Sequence, residues 1–235
     1  MQNAILLRKL LQKDSMAFCR VYKKVIFECV SIIKNNIDVR YLNLVQYTRQ
    51  TPALFEGWCN EICGLYDKIV LISQVSGRKY IISDQMKCAA SWVNKKVQQC
   101  SLFSGDLNLH NIIFADGVHY YLDFEYWGFF DVDYILAKLI GSLFHHCTLF
   151  ENQNYKVRDN EIYINYSTEN NVKELVSLEF YKEELKGILV DFNKIKSFIL
   201  AKLYFRLLRS LEDLDGKFAS EQLTNVIGVL DMFNR

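Results

Sequence analysis

The chain has 235 residues, 51% of them hydrophobic and 23% charged, a balance that excludes disordered and fibrous classes and leaves ample apolar material for a core. Its 28 basic and 27 acidic side chains leave a formal charge of +1, so no uniform field draws it to nucleic acid or an anionic membrane. Seven cysteines at irregular spacing do not form the paired framework of a small secreted domain and fit reduced thiols, hence a cytoplasmic protein.

No basic region precedes the short apolar run near the N-terminus, so no signal peptide is expected. The apolar run 135–144 is interrupted by Lys138 and falls far short of the ~20 residues that cross a bilayer, which predicts no membrane span. Pro52 is the single proline, and without a Gly/Ser/Pro-rich linker the expectation is one domain over 1–235. Leu6, Leu7, Leu10 and Leu11, then Tyr22, Val25, Ile26, Cys29 and Ile33, recur at helical spacing and predict helix over 4–34. The β-branched content of 21–33 leaves a strand open there. Helices are also predicted over 53–68 and over 84–99, the second with Ser83 as N-cap and Met86, Ala89, Val93 and Val97 on one face. The helical period returns over 172–186, 195–207 and 222–233.

Between these helical halves lies the one clear hairpin signal. Residues 112–115 and 118–122 are rich in strand formers and are separated by Asp116-Gly117, a dipeptide that favours a type I′ turn because both central positions need positive φ. The register follows: Ala115 faces Val118, Phe114 faces His119, Ile113 faces Tyr120, Ile112 faces Tyr121 and Asn111 faces Leu122, with Asp123 one residue beyond. Upstream stands the polar loop Ser104-Gly105-Asp106-Leu107-Asn108-Leu109-His110-Asn111. Loop and hairpin bring Asp106, Asn111 and Asp123 to one end of a small sheet. A carboxylate and a carboxamide there suit Mg²⁺, a hard cation that prefers oxygen ligands and keeps some of its waters.

Ser104-Gly105-Asp106 with Asn111 five residues on, followed by Leu122-Asp123-Phe124-Glu125 and then by 127–137 with Asp131, resembles the motif series of the aminoglycoside/choline phosphotransferase family. Three motifs in the right order and spacing are far more specific than any one. The resemblance implies an α+β, protein-kinase-like fold, mainly the helical C-lobe with a short catalytic β-hairpin. It implies transfer of a phosphoryl group from ATP or GTP, with Mg²⁺, to a hydroxyl of a small molecule such as a sugar, aminoglycoside or amino alcohol. By that resemblance Asp106 is the catalytic residue that orients the hydroxyl and accepts its proton, and Asn111 and Asp123 hold the metal. Asp131 is the structural aspartate that ties the loop down, and Glu125 faces the substrate side. From the residues themselves, Ser104 holds an architectural position, His110 stands beside Asn111 as a supporting residue, and Tyr126 and Trp127, in an aromatic run that is mainly core, are candidates to line a substrate pocket.

This sequence departs from the family pattern in three places: Ser104 stands where His is usual, Val132 where Pro is, and Ile135 where a second Asp is common. The family's strand-rich nucleotide lobe, with its phosphate-clamping Lys and partner Glu, has no match before Asp106, where residues 1–40 read as leading helices or a remnant of that lobe. Lys23 or Lys24 with Glu28 is the nearest candidate pair. A nucleotide cover would then come from self-association or a separate N-lobe chain, and the rival reading is a catalytically silent, kinase-like binding or scaffold module. The Cys59/Cys63 pair and His145-His146 lack zinc-like spacing and read as structural, as does His119 in mid-strand.

Overall fold

The computed structural model describes residues 4–47, 52–65, 67–122, 126–147, 149–212 and 216–234. Its elements are mixed α and β. They gather into two compact units, the first built from 1–49, 96–149 and 170–191, the second from 50–95, 150–169 and 192–235, so the chain passes between them repeatedly.

In the first unit a two-residue strand β1 (Ile5–Leu6) leads into helices α1 (Leu7–Lys13) and α2 (Ser15–Asn36). The break falls at Asp14, which is extended at φ −156° and whose side chain accepts from Ala17 N at 2.8 Å. That is an N-cap bond, and it explains why the single helix predicted over 4–34 is split. Phe18, Tyr22, Val25, Ile26, Cys29 and Ile33 form the buried stripe of α2, which settles the strand alternative in favour of helix. Each large apolar side chain so buried contributes on the order of 1.5–3 kcal/mol. Strand β4 (Cys100–Ser104) pairs antiparallel with β7 (Trp127–Asp131), while β5 (Ile112–Ala115) and β6 (Val118–Tyr121) form the hairpin, with β1 added beside β5. Helix α5 (Val132–His146) follows β7, and a 3-10 segment (Asn170–Val176) with α6 (Leu178–Glu184) completes the unit where one continuous helix was expected.

The predicted hairpin register is found at all four ladder pairs, from Ala115 opposite Val118 to Ile112 opposite Tyr121. Leu122 N donates to Asn111 O at 2.7 Å, which extends the pairing to the fifth. Asp116 and Gly117 have φ of 51° and 79°, the two positive values a type I′ turn requires.

The second unit holds α3 (Pro52–Leu65), β2 (Val70–Ser73), β3 (Lys79–Ile81), α4 (Ile82–Val93), β8 (Phe150–Arg158), β9 (Glu161–Thr168), α7 (Phe192–Glu212) and α8 (Gly216–Phe233). Its four-stranded sheet runs β3-β2-β9-β8, with β2 and β9 parallel. Here the expectation of a single hairpin fails: β8 and β9 form another, turned at Asp159 with φ 52°. β8 is a mostly exposed edge strand, so its polar sequence carries no apolar alternation. Ser83 also differs from expectation. It lies inside α4, buried, and its hydroxyl donates to Asp67 O at 3.2 Å, while the capping position falls on Ile81 with no side-chain bond. No helix among the described residues is long and apolar enough to cross a membrane.

Candidate functional site

The polar loop is hung between two paired strands that periodicity did not reveal. β4 and β7 run antiparallel with Cys100 opposite Asp131 and Ser104 opposite Trp127, and Gly105 N donates to Tyr126 O at 2.8 Å, one step beyond the ladder. Tyr126 and Trp127 are thereby set beside the start of the loop. Ser104 sits half-buried at the end of β4.

Loop 105–108 is fixed through its own amides. The Asn108 side chain accepts from His110 N at 2.9 Å and so caps the 3-10 turn Leu109–Asn111. Asn108 Nδ2 and Asn111 Nδ2 each donate to the Asp106 carbonyl at 3.1 Å. With Nδ2 committed to the loop, Oδ1 is the remaining acceptor of the Asn111 amide, the oxygen-type donor that a hard cation takes. Asn108 is a contributor that sequence reasoning passed over; its signal was the repeated Asn at 108 and 111.

Asp106, Asn111, Ser104 and Trp127 line one small cavity of about 50 Å³, closed mainly by Ile32, Phe103 and Leu122. At roughly 10–15 Å³ for each water, that is room for a few waters. Asn111 and Leu122 are neighbours as expected, while Asp123, Phe124 and Glu125 lie outside the described residues. No group of three or more His, Cys, Asp or Glu side chains that could hold a metal occurs among the described residues. A Mg²⁺ site needs one or two carboxylates with waters and phosphate oxygens; among the described residues the cavity offers the Asn111 amide oxygen and the Asp106 carboxylate.

The Asp106 carboxylate has a partner the sequence did not announce. Lys138 Nζ lies 2.9 Å from Asp106 Oδ1, with 9% of the lysine side chain and 19% of the aspartate side chain exposed. The one visible sign was a charge in the middle of the apolar run 135–144.

Asp131, expected to tie the loop down, stands opposite Cys100, at the other end of the β4–β7 ladder from Ser104 and the loop. Asp131 is buried and caps α5, its Oδ1 accepting from Asp133 N at 3.0 Å and its Oδ2 from the Tyr47 hydroxyl at 3.3 Å. Burial and then the nearby Asp131 charge push the Tyr47 hydroxyl well up from its usual range. His110 packs edge-on to His146 with ring centroids 3.8 Å apart. Its Nε2 is 3.3 Å from Arg8 Nη1, and since a guanidinium can only donate, that nitrogen accepts. His119 is buried in mid-strand as expected, 2.7 Å from Glu28, which also faces Lys24 at 3.9 Å. Lys23 instead reaches Glu174 at 2.5 Å.

No family model matches the chain, and neither a curated protein nor a solved structure does.

Proposed function

We propose that the chain is a kinase-like phosphotransferase that moves the terminal phosphoryl group of ATP or GTP to a hydroxyl of a small molecule. The observation that carries this is the convergence of Asp106 and Asn111 on one cavity whose wall includes Leu122. A strand, a polar loop pinned by its own amides and a hairpin are what the chemistry asks of a protein, because a loose phosphoryl-transfer transition state needs positioning and charge stabilisation more than covalent help. In this reading Asp106 accepts the proton of the acceptor hydroxyl as its oxygen bonds to the terminal phosphorus. Asn111 and Asp123 would hold Mg²⁺, which neutralises charge on the phosphates. Trp127, half exposed at the cavity rim, offers an apolar face to a substrate.

Calorimetric titration with MgATP and MgGTP tests the reading. Binding of one of them that is lost in Asp123→Ala supports it, and no heat at millimolar nucleotide removes it. A specific observation favours the rival, a silent kinase-like module: residues 7–13 and 15–36, which carry the Lys23, Lys24 and Glu28 candidates for a phosphate clamp, are helical. Binding without any turnover across sugars, aminoglycosides and amino alcohols would select that module.

A further inference from the structure

Helix α5 is buried at every position from Val132 to His145 except Lys138. An ammonium group there is costly, because desolvating a charge exceeds what a plain hydrophobic replacement would lose, and buried ion pairs are often neutral or worse for stability. Lys138 is nevertheless seated 2.9 Å from Asp106 Oδ1 and 5.8 Å from the centre of the Tyr134 ring, one turn earlier on the same helix. Asp106 lines the small cavity and Lys138 does not. The aspartate is thus held at both ends, its carbonyl by Asn108 and Asn111 and its carboxylate by a lysine from a rigid helix.

We propose that Lys138 is a positioning residue for phosphoryl transfer, acting through Asp106. This rests on the phosphotransferase reading. In the step, the acceptor oxygen bonds to the terminal phosphorus of a nucleoside triphosphate as the bond from that phosphorus to its bridging oxygen breaks. The electron pair leaves with the nucleoside diphosphate and the hydroxyl proton passes to Asp106. Lys138 fixes the direction of the Asp106 carboxylate, so that the acceptor hydroxyl meets a positioned oxygen as the new bond forms.

The test measures nucleoside diphosphate release from MgATP and MgGTP, with sugars, aminoglycosides and amino alcohols as acceptors, for the parent, Lys138→Met, Lys138→Arg, Asp106→Asn and Asp106→Asn/Lys138→Met. Lys138→Met is expected to lower kcat at least about tenfold with the nucleotide KM within about twofold, as for a group that acts only in the transition state. Lys138→Arg should recover most of the loss. In the Asp106→Asn background the lysine change should have no further effect, since residues acting as a unit are non-additive. Parental kcat in Lys138→Met, or a further fall in the double variant, would overturn the role. Should Lys138→Met fail to fold, the double variant, which leaves no unpaired charge, still decides by comparison with Asp106→Asn. A parent that binds neither nucleotide removes the phosphotransferase reading and this role with it, whereas an active parent indifferent to Lys138 removes only the role.

Discussion

Asp231 Oδ2 accepts the Ser73 hydroxyl at 2.6 Å, a bond that ties the last turn of α8 to the end of β2. Three more hydroxyls converge on the same buried carboxylate: Ser76 at 2.6 Å, Tyr80 at 2.8 Å and Tyr166 at 2.9 Å. Four donors on two oxygens leave the charge well hydrogen-bonded, so removing it strands four hydroxyl groups at once. Asp231→Ala is expected to lose at least about 3 kcal/mol in urea titration, whereas Tyr166→Phe, which removes one of the four donors, should lose about 1 kcal/mol. Parental stability of the alanine variant would show that the carboxylate is not the fastener of this unit.

Local chemistry made part of this molecule legible. Asp116-Gly117 sets its own turn and hence the register of β5 and β6, and the 22, 25, 26, 29, 33 spacing marks the buried face of α2. What stayed hidden depends on distant partners. β2 pairs in parallel with β9 although they lie far apart in sequence, and β8 is too exposed to show alternation. Lys138 was visible as an oddity in an apolar run, but its partner follows from the packing of α5 near the polar loop, which no local pattern encodes. The four-hydroxyl set around Asp231 is assembled from β2, the turn after it, β3, β9 and α8, again by tertiary placement alone.

Helix propensity and packing oppose each other at Gly228, inside α8. Propensity alone predicts that Gly→Ala gains about 1 kcal/mol. An added Cβ would fall 2.3 Å from Phe150 Cζ and 2.7 Å from Cε2, and that buried ring is itself packed edge-on to Tyr166 at 4.7 Å. Gly228→Ala is therefore expected to destabilise by about 1–3 kcal/mol through overpacking. Gly57, exposed on α3 with nothing within 4 Å, should gain about 0.5–1 kcal/mol as alanine. Paired melting curves read both, and stabilisation at 228 would mean the ring moves aside freely.

Burial pushes the thiols of Cys29, Cys59 and Cys147 from an ordinary 9.0 up to about 12. Between pH 9 and 12 the unfolded chain releases these protons and the folded chain keeps them, so rising pH favours unfolding across that window. The buried Tyr80 hydroxyl, raised to about 12 by burial and by Asp231, acts in the same sense. Urea midpoints should fall from pH 9 upward while staying flat between pH 7 and 8. Because the thiolate is the nucleophile, brief iodoacetamide treatment at pH 8 should label Cys88, which is exposed, well before these three. Equal labelling of Cys29 and Cys88 in the intact protein would contradict the burial on which both expectations rest.

Asp106→Asn separates chemistry from architecture at the candidate site. The backbone carbonyl that Asn108 and Asn111 grip is untouched by the change, and the new amide oxygen can still accept from Lys138. The loop should keep its shape, while melting should fall because the buried Lys138 ammonium loses its counter-charge. What the amide lacks is the ability to take a proton from an acceptor hydroxyl, which typically contributes about 10²–10⁴-fold. Turnover should fall by about 10²-fold or more while nucleotide affinity by calorimetry stays nearly constant. Parental turnover in the variant would show that Asp106 does not take that proton. A loss of affinity equal to the loss of turnover would make the residue a binding group, with its charge acting on the bound nucleotide and not on the acceptor.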